Sequence, residues 1–176
     1  MLVKTLISGF GGQGVISMGL SLAQAAMAEG KYVTYLPSYG AEVRGGTANC
    51  TVAVSDEEIA SPVVINPDIL VAMNKPSLIK YEGNVKPGGI VIVNKSRVGD
   101  FPRRKAVKYI SIPLTDSASK LGDIRCANVI AAGAVAKISG MVSIKNMTLA
   151  LKYMLKGKDR LFPLNKEALE KGHKYG

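Results

Sequence analysis

"LISGFGGQGVISMG", residues 6–19, decides the fold: the apolar pair Leu6-Ile7 leads into glycines at 9, 11, 12 and 14 and then into small and apolar residues. The spacing of Gly9, Gly11 and Gly14 is that of a strand, a tight turn and a helix whose free backbone N–H groups face an anion. A Rossmann-like first strand-turn-helix is therefore expected. Two uses of the turn stay open. Either Gly9, Gly11, Gly12, Gln13 and Gly14 cradle a phosphate-bearing ligand, or the glycines let helix and strand pack closely. A dinucleotide site also needs a carboxylate about 20 residues on, at the end of the second strand, to bond a ribose. Here the second strand, Tyr32 to Leu36, runs into Pro37-Ser38-Tyr39, and the next carboxylate is Glu42. The nicotinamide and flavin readings lose their main support.

Working outward, strand-like and helical runs alternate, which predicts an α/β layered domain with a mostly parallel sheet flanked by helices. The first strand spans Leu2 to Ser8. From Val15 to Glu29 the residues are apolar or small almost all round, with Val15, Met18, Leu22 and Ala25 on one stripe and Gly30 placed to stop a buried helix. Thr47 to Ser55, "TANCTVAVS", alternates like a half-buried strand, and its entry from Gly45-Gly46 suggests a hairpin-like return, making the sheet mixed. "DILVAMNKPS" and "GGIVIVNKS" place Asn74-Lys75 and Asn94-Lys95 after two further strands. Ligands of open α/β sheets gather beyond the carboxyl ends of strands, so Asn74 and Asn94 could share a crevice with the glycine turn. The plainer reading is an ordinary Asn turn with a solvated Lys. Pro76 to Tyr81 reads as a short helix and Lys108 to Ile112 as a strand. Helices follow at Ala127 to Ser139, stopped by Gly140, and after Ser143, with Ile144, Met147, Leu151 and Met154 on one stripe before Gly157. A last short helix is expected from Lys166 to Lys171, capped by Asn165. No linker or repeat divides the 176 residues, so one domain over 1–176 is expected.

Composition narrows the function classes. The net charge of +10 is uneven: residues 1–90 carry 6 Lys/Arg against 7 Asp/Glu, and residues 91–176 carry 17 against 6. A basic half attracts polyanions, acidic proteins or only solvent. Aromatic residues make up 6% and no nucleic-acid module motif accompanies the charge, so nucleic acid is not the expected partner. No apolar stretch approaches the roughly 18 residues of a membrane span, and Met1-Leu2-Val3-Lys4 enters a strand without a leader-like segment, so a cytoplasmic protein with no membrane contact is expected. Cys50 and Cys126 are too few for an iron–sulfur cluster, and their spacing suggests no zinc site.

Catalytic patterns are missing. The one histidine, His173, could join a nucleophile only if the tail folded over the glycine turn. Asp56-Glu57-Glu58 reads as a surface turn, and neither H-E-x-x-H nor Cys-x-x-Cys occurs. A phosphate-type turn without chemistry of its own suggests a ligand-binding subunit of a larger machine. No metal site and no catalytic residue is expected in this chain.

"GFGGQGV" at 9–15 with "PSYGAEVRGGTANCTVAVS" at 37–55 resembles the gamma subunit of the 2-oxoacid:ferredoxin (acceptor) oxidoreductases, the counterpart of one domain of single-chain pyruvate:ferredoxin oxidoreductase. "NPDILVAMNKPS" at 66–77, "VKPGGIVIVN" at 85–94, "ANVIAAGAV" at 127–135 and "PLNKEALEKG" at 163–172 fit its later segments in order. The resemblance implies a role in oxidative decarboxylation of a 2-oxoacid with coenzyme A, electrons passing to ferredoxin. It places thiamine diphosphate with magnesium between alpha and beta subunits, and iron–sulfur clusters on beta and the ferredoxin-like delta subunit. "PSYGAEVRGG" followed by "NC" is most similar to the 2-oxoglutarate and branched-chain members, with 2-oxoglutarate ranked first; pyruvate and indolepyruvate members are the alternatives. Coenzyme A would meet the Gly11–Gly14 amides and Arg44, with Gly45 and Gly46 allowing close approach. Arg44 serves equally well as an ion-pair partner of Glu42 or a contact to alpha. Outside the family, the alternative is a stand-alone nucleotide-binding protein. The isolated chain is expected to expose apolar surface and to self-associate.

Overall fold

The computed structural model describes residues 1–39 and 47–175. Six strands form one sheet: β1 (Leu2–Phe10), β2 (Tyr32–Tyr39), β3 (Thr47–Ser55), β4 (Ile69–Ala72), β5 (Ile90–Asn94) and β6 (Lys108–Ile112), in the spatial order β2-β3-β1-β4-β5-β6. β1, β4, β5 and β6 run parallel, while β3 lies antiparallel between β1 and β2. The mixed, mostly parallel sheet follows the sequence pattern. β4 is buried at every position, as a central parallel strand covered on both faces must be.

Among the described residues seven α-helices accompany the sheet: α1 (Val15–Ala28), α2 (Lys75–Tyr81), α3 (Lys95–Val98), α4 (Leu114–Leu121), α5 (Ala127–Ser139), α6 (Ile144–Met154) and α7 (Phe162–His173). Alternation along the strands sends side chains to two cores. Ile7, Val52, Ile69, Val71 and Ile92 pack with α1, α5, α6 and α7. Leu6, Leu70, Ala72, Val91 and Val93 face the other way, toward Leu78 of α2 and Val98 of α3. Each fully buried Leu or Ile contributes about 1.5–3 kcal/mol, so the larger helical layer dominates cohesion.

The three largest boundary differences from expectation each have a physical reason. β1 runs two residues past Ser8, because β3 continues to pair with it through Gly9 and Phe10. β2 extends through Pro37 to Tyr39; it is an edge strand, where a missing N–H costs little. The last helix starts at Phe162 and not Lys166. Pro163 occupies its first turn, where a proline fits, and Asn165 sits inside the helix with Nδ2 donating to the Leu161 carbonyl at 2.8 Å.

α5 and α7 cross closely through two glycines. A Cβ on Gly172 would collide with the Ile130 carbonyl, and one on Gly133 with the Leu169 carbonyl. Helix propensity alone gives Gly172→Ala a gain of about 1 kcal/mol. The backbone collision reverses the sign, with an expected net loss of about 1–3 kcal/mol in urea unfolding. A stabilised Gly172→Ala protein would contradict this packing.

Candidate functional site

The turn after β1 is built from hydrogen bonds that involve its own side chain. Gln13 N donates to the Phe10 carbonyl at 3.1 Å, and Gln13 Oε1 accepts from Phe10 N at 2.7 Å. The same Oε1 accepts from Asn74 Nδ2 at 2.9 Å, while Gln13 Nε2 donates to the Met73 carbonyl at 3.3 Å. Gln13 thus ties the end of β1 to the end of β4. Asn94 reaches the same acceptor, donating through Nδ2 to Met73 O at 3.1 Å and to Thr115 Oγ1 at 2.9 Å. Asn74 Oδ1 accepts from Ser77 N at 2.9 Å and so caps α2.

Gln13, Asn74 and Asn94 therefore converge at the carboxyl ends of the strands. Asn74 and Asn94 are buried, whereas Lys75 and Lys95 point into solvent. The amide side chains bind the strand ends to one another, with Asn74 in the turn-forming role of the plainer reading.

The turn glycines differ in what their positions demand. A Cβ on Gly9 would lie 2.8 Å from Gln13 Oε1 and 3.0 Å from Met73 Cβ. Gly12 and Gly14 adopt φ of 93° and 70°, and a Cβ on Gly14 would overlap the Asn128 amide, whose Nδ2 donates to the Gly14 carbonyl at 3.1 Å. Gly11 differs: no atom lies within 4 Å of its notional Cβ, and its φ is not positive. Packing explains Gly9 and Gly14, and left-handed backbone explains Gly12; neither explains Gly11.

α1 begins at Val15 with no side-chain cap and no acidic residue in its first turn. Its first helical hydrogen bond is Met18 N to Gly14 O, which leaves the preceding amides of the first turn without helical acceptors. A crevice of about 120 Å³ opens beside the turn, lined by Gly12, Gln13, Met73, Arg97, Thr115, Ile124, Arg125 and Ala127. Ligand-sized pockets start at about 300 Å³, so this one has room for a compact group and not for a whole nucleotide. Arg125 is already engaged by Asp123, with Nη2 to Oδ2 at 2.6 Å and Nε to Oδ1 at 3.0 Å. The hydrogen bonds from Arg125 hold the Asp123 carboxyl below the ordinary carboxylate range and push the guanidinium the other way. Arg97 is exposed, and no ion pair engages it among the described residues.

Arg97, Thr115, Arg125 and Asn128 carry no local sequence signal for this crevice; only the fold brings them to the turn. Arg44, Gly45 and Gly46 lie outside the described residues. Among the described residues the ribose carboxylate of a dinucleotide site has no counterpart, for a topological reason. β3 separates β2 from β1, so the end of β2 stands two strand spacings, about 10 Å, from the turn strand.

A larger cavity of about 310 Å³ lies between α1, α5, α6 and α7, walled by Met18, Val129, Ala132, Met147, Leu151 and Leu169 among others. Cys126 lines it and Cys50 is buried under α1; burial pushes both thiols up, Cys50 to about 12, so both stay protonated at neutral pH. Among the described residues no three His, Cys, Asp or Glu side chains group to hold a metal ion, and no helix is long and apolar enough to cross a membrane. His173 sits at the end of α7 beside Gly133 of α5, a helix-packing position.

The family model described as "Pyruvate ferredoxin/flavodoxin oxidoreductase" matches residues 4–175. Ketoisovalerate oxidoreductase subunit VorA of Methanothermobacter marburgensis is 40% identical over 172 residues, which is 97% of this chain. The chain spans only 36% of that relative's length. 2-oxoglutarate synthase subunit KorC of Methanothermobacter thermautotrophicus is 40% identical over 153 residues, covering 83% of this chain and 81% of the relative. Among solved structures, the gamma subunit of a keto/oxoacid ferredoxin oxidoreductase from Geobacter sulfurreducens superposes with a TM-score of 0.86 at 28% identity, over 98% of this chain and 97% of that one.

The glycine turn separates fold from function by substitution. Gly14→Ala is expected to cost about 1–3 kcal/mol in chemical denaturation, from its left-handed backbone and the Asn128 contact. Gly11→Ala should stay within about 0.5 kcal/mol of the parent. Equal losses at both positions would mean that Gly11 is structural too.

Proposed function

The chain belongs to the pyruvate ferredoxin/flavodoxin oxidoreductase family, and we propose that it serves there as the gamma subunit of a 2-oxoglutarate:ferredoxin oxidoreductase, a single domain over 1–176. The complex would convert 2-oxoglutarate and coenzyme A to succinyl-CoA and carbon dioxide, with electrons passing to ferredoxin. Similarity to a KorC subunit over most of both chains supports this reading. The branched-chain reading is second, and the 40% identity to a VorA subunit supports it. Thiamine diphosphate, magnesium and the clusters are assigned to alpha, beta and delta subunits, in a cytoplasmic assembly.

Within that assembly the chain's task is to present one anion site toward coenzyme A. The observation that carries this is the crevice itself. Gly12 and Gln13 of the turn that leads into the uncapped α1 line it together with Arg97, which no ion pair engages among the described residues. Those donors suit a phosphate: backbone N–H groups at a helix start favour negative charge, and a guanidinium offers a forked pair of N–H donors. The crevice fits one phosphoryl group, so the remainder of coenzyme A would lie against partner subunits. Arg44 is proposed as a second cation for the same ligand.

Anaerobic purification of the tagged chain from its own cells, with CoA-dependent assays on 2-oxoglutarate and on 2-oxoisovalerate, tests the assignment. Co-purifying thiamine- and cluster-bearing chains with preferential turnover of 2-oxoglutarate are expected; preference for 2-oxoisovalerate would select the second reading. In the assembled enzyme, Arg97→Ala should raise the KM for coenzyme A about tenfold, the value of one lost charge-assisted contact, with KM for the 2-oxoacid unchanged. Unchanged KM for coenzyme A in both Arg97→Ala and Arg44→Ala variants would remove the ligand role.

A further inference from the structure

Part of the charge of the basic half lies on one helix face whose residues do not line the crevice. On α6, Met147, Ala150 and Leu151 are buried, while Lys145, Leu149, Lys152 and Tyr153 lie on the outer side, and Lys156 continues that side just beyond the helix. Leu149 is 53% exposed and Tyr153 69% exposed, two large apolar side chains four residues apart. With Lys152, Lys156 and Asp159 they line a shallow open hollow. None of the three lysines forms an ion pair among the described residues. Lys158 and Arg160 follow, and Asp159 is the single carboxylate in the stretch from 145 to 160.

We infer that the outer face of α6 docks a carboxylate-rich protein surface of a companion subunit, with Leu149 and Tyr153 as the apolar centre and the lysines as the charged rim. The inference rests on the subunit reading above but concerns a different face from the crevice. The arrangement has the anatomy of a protein interface: an aromatic anchor inside, charge outside. A phosphate backbone would use the lysines but has no use for an exposed leucine between them. An unpaired cationic rim steers an acidic partner at low salt and repels a basic one. A second copy of this chain is disfavoured by the same rule, since it would bring like charge against like.

The test uses the complex purified through the tagged chain, compared with the Lys145→Glu/Lys152→Glu/Lys156→Glu and Tyr153→Ala variants. These residues are exposed, so melting temperatures of the variant chains should match the parent. Lysine acetylation read by mass spectrometry is expected to show the three lysines protected in the complex and reactive in the free chain. The triple variant should lose its co-purifying partners, and Tyr153→Ala should weaken recovery about tenfold. An intact assembly in which the three lysines react as in the free chain would overturn the docking face and leave the subunit reading standing. A chain recovered with no partner would overturn both. Material bound through this face but released by nuclease would identify a nucleic acid and also overturn it.

Discussion

The Met73 carbonyl oxygen accepts from Gln13 Nε2 and from Asn94 Nδ2, and the rest of the site depends on that shared acceptor. Parallel strands have no hairpin to fix their ends, so their carboxyl termini need another restraint. Here buried amide side chains supply it: Gln13 from the turn after β1, Asn74 after β4, and Asn94 at the end of β5. Asn94 extends the network to Thr115 at the start of α4. Buried polar networks of this kind are costly when half satisfied and rigidifying when complete. Satisfied as it is, this one fixes the glycine turn against the sheet, and with it Gly12 and Gln13 on the wall of the crevice.

Much of the fold was legible because the signals were local. β3, β6 and α5 start and end at the residues that alternation, apolar runs and the Gly140 stop indicate. Where reading fell short, tertiary context decided. Pro37 reads as a strand end until β2 turns out to be an edge, and Asn165 reads as a helix cap until Pro163 starts the helix earlier. The insertion of an antiparallel β3 between β1 and β2 is invisible to periodicity, yet it removes the geometry a dinucleotide would need.

The site was half legible. Glycine spacing located the turn, and the Asn residues ending β4 and β5 located its neighbours. Arg97 and Arg125 could not be found that way, because a lone arginine after a strand or before a helix has no pattern; they acquire meaning when α3 and the segment before α5 meet at the turn. The same view assigns the glycines separately. Gly9 and Gly14 serve close packing, Gly12 serves backbone conformation, and neither accounts for Gly11, whose Cβ position is open. The lysines of α6 belong to another surface than Arg97 and Arg125.

The central claim is that an anion of coenzyme A meets the start of α1 inside the assembled enzyme. Hydrogen exchange of the purified complex with and without coenzyme A measures it most directly. The account predicts slower exchange over residues 10–18, at the glycine turn and the first turn of α1, with a smaller effect at 95–98, and no change over α6. Exchange unaltered at the turn while coenzyme A is demonstrably bound would contradict it, and would leave the glycines with a structural role alone.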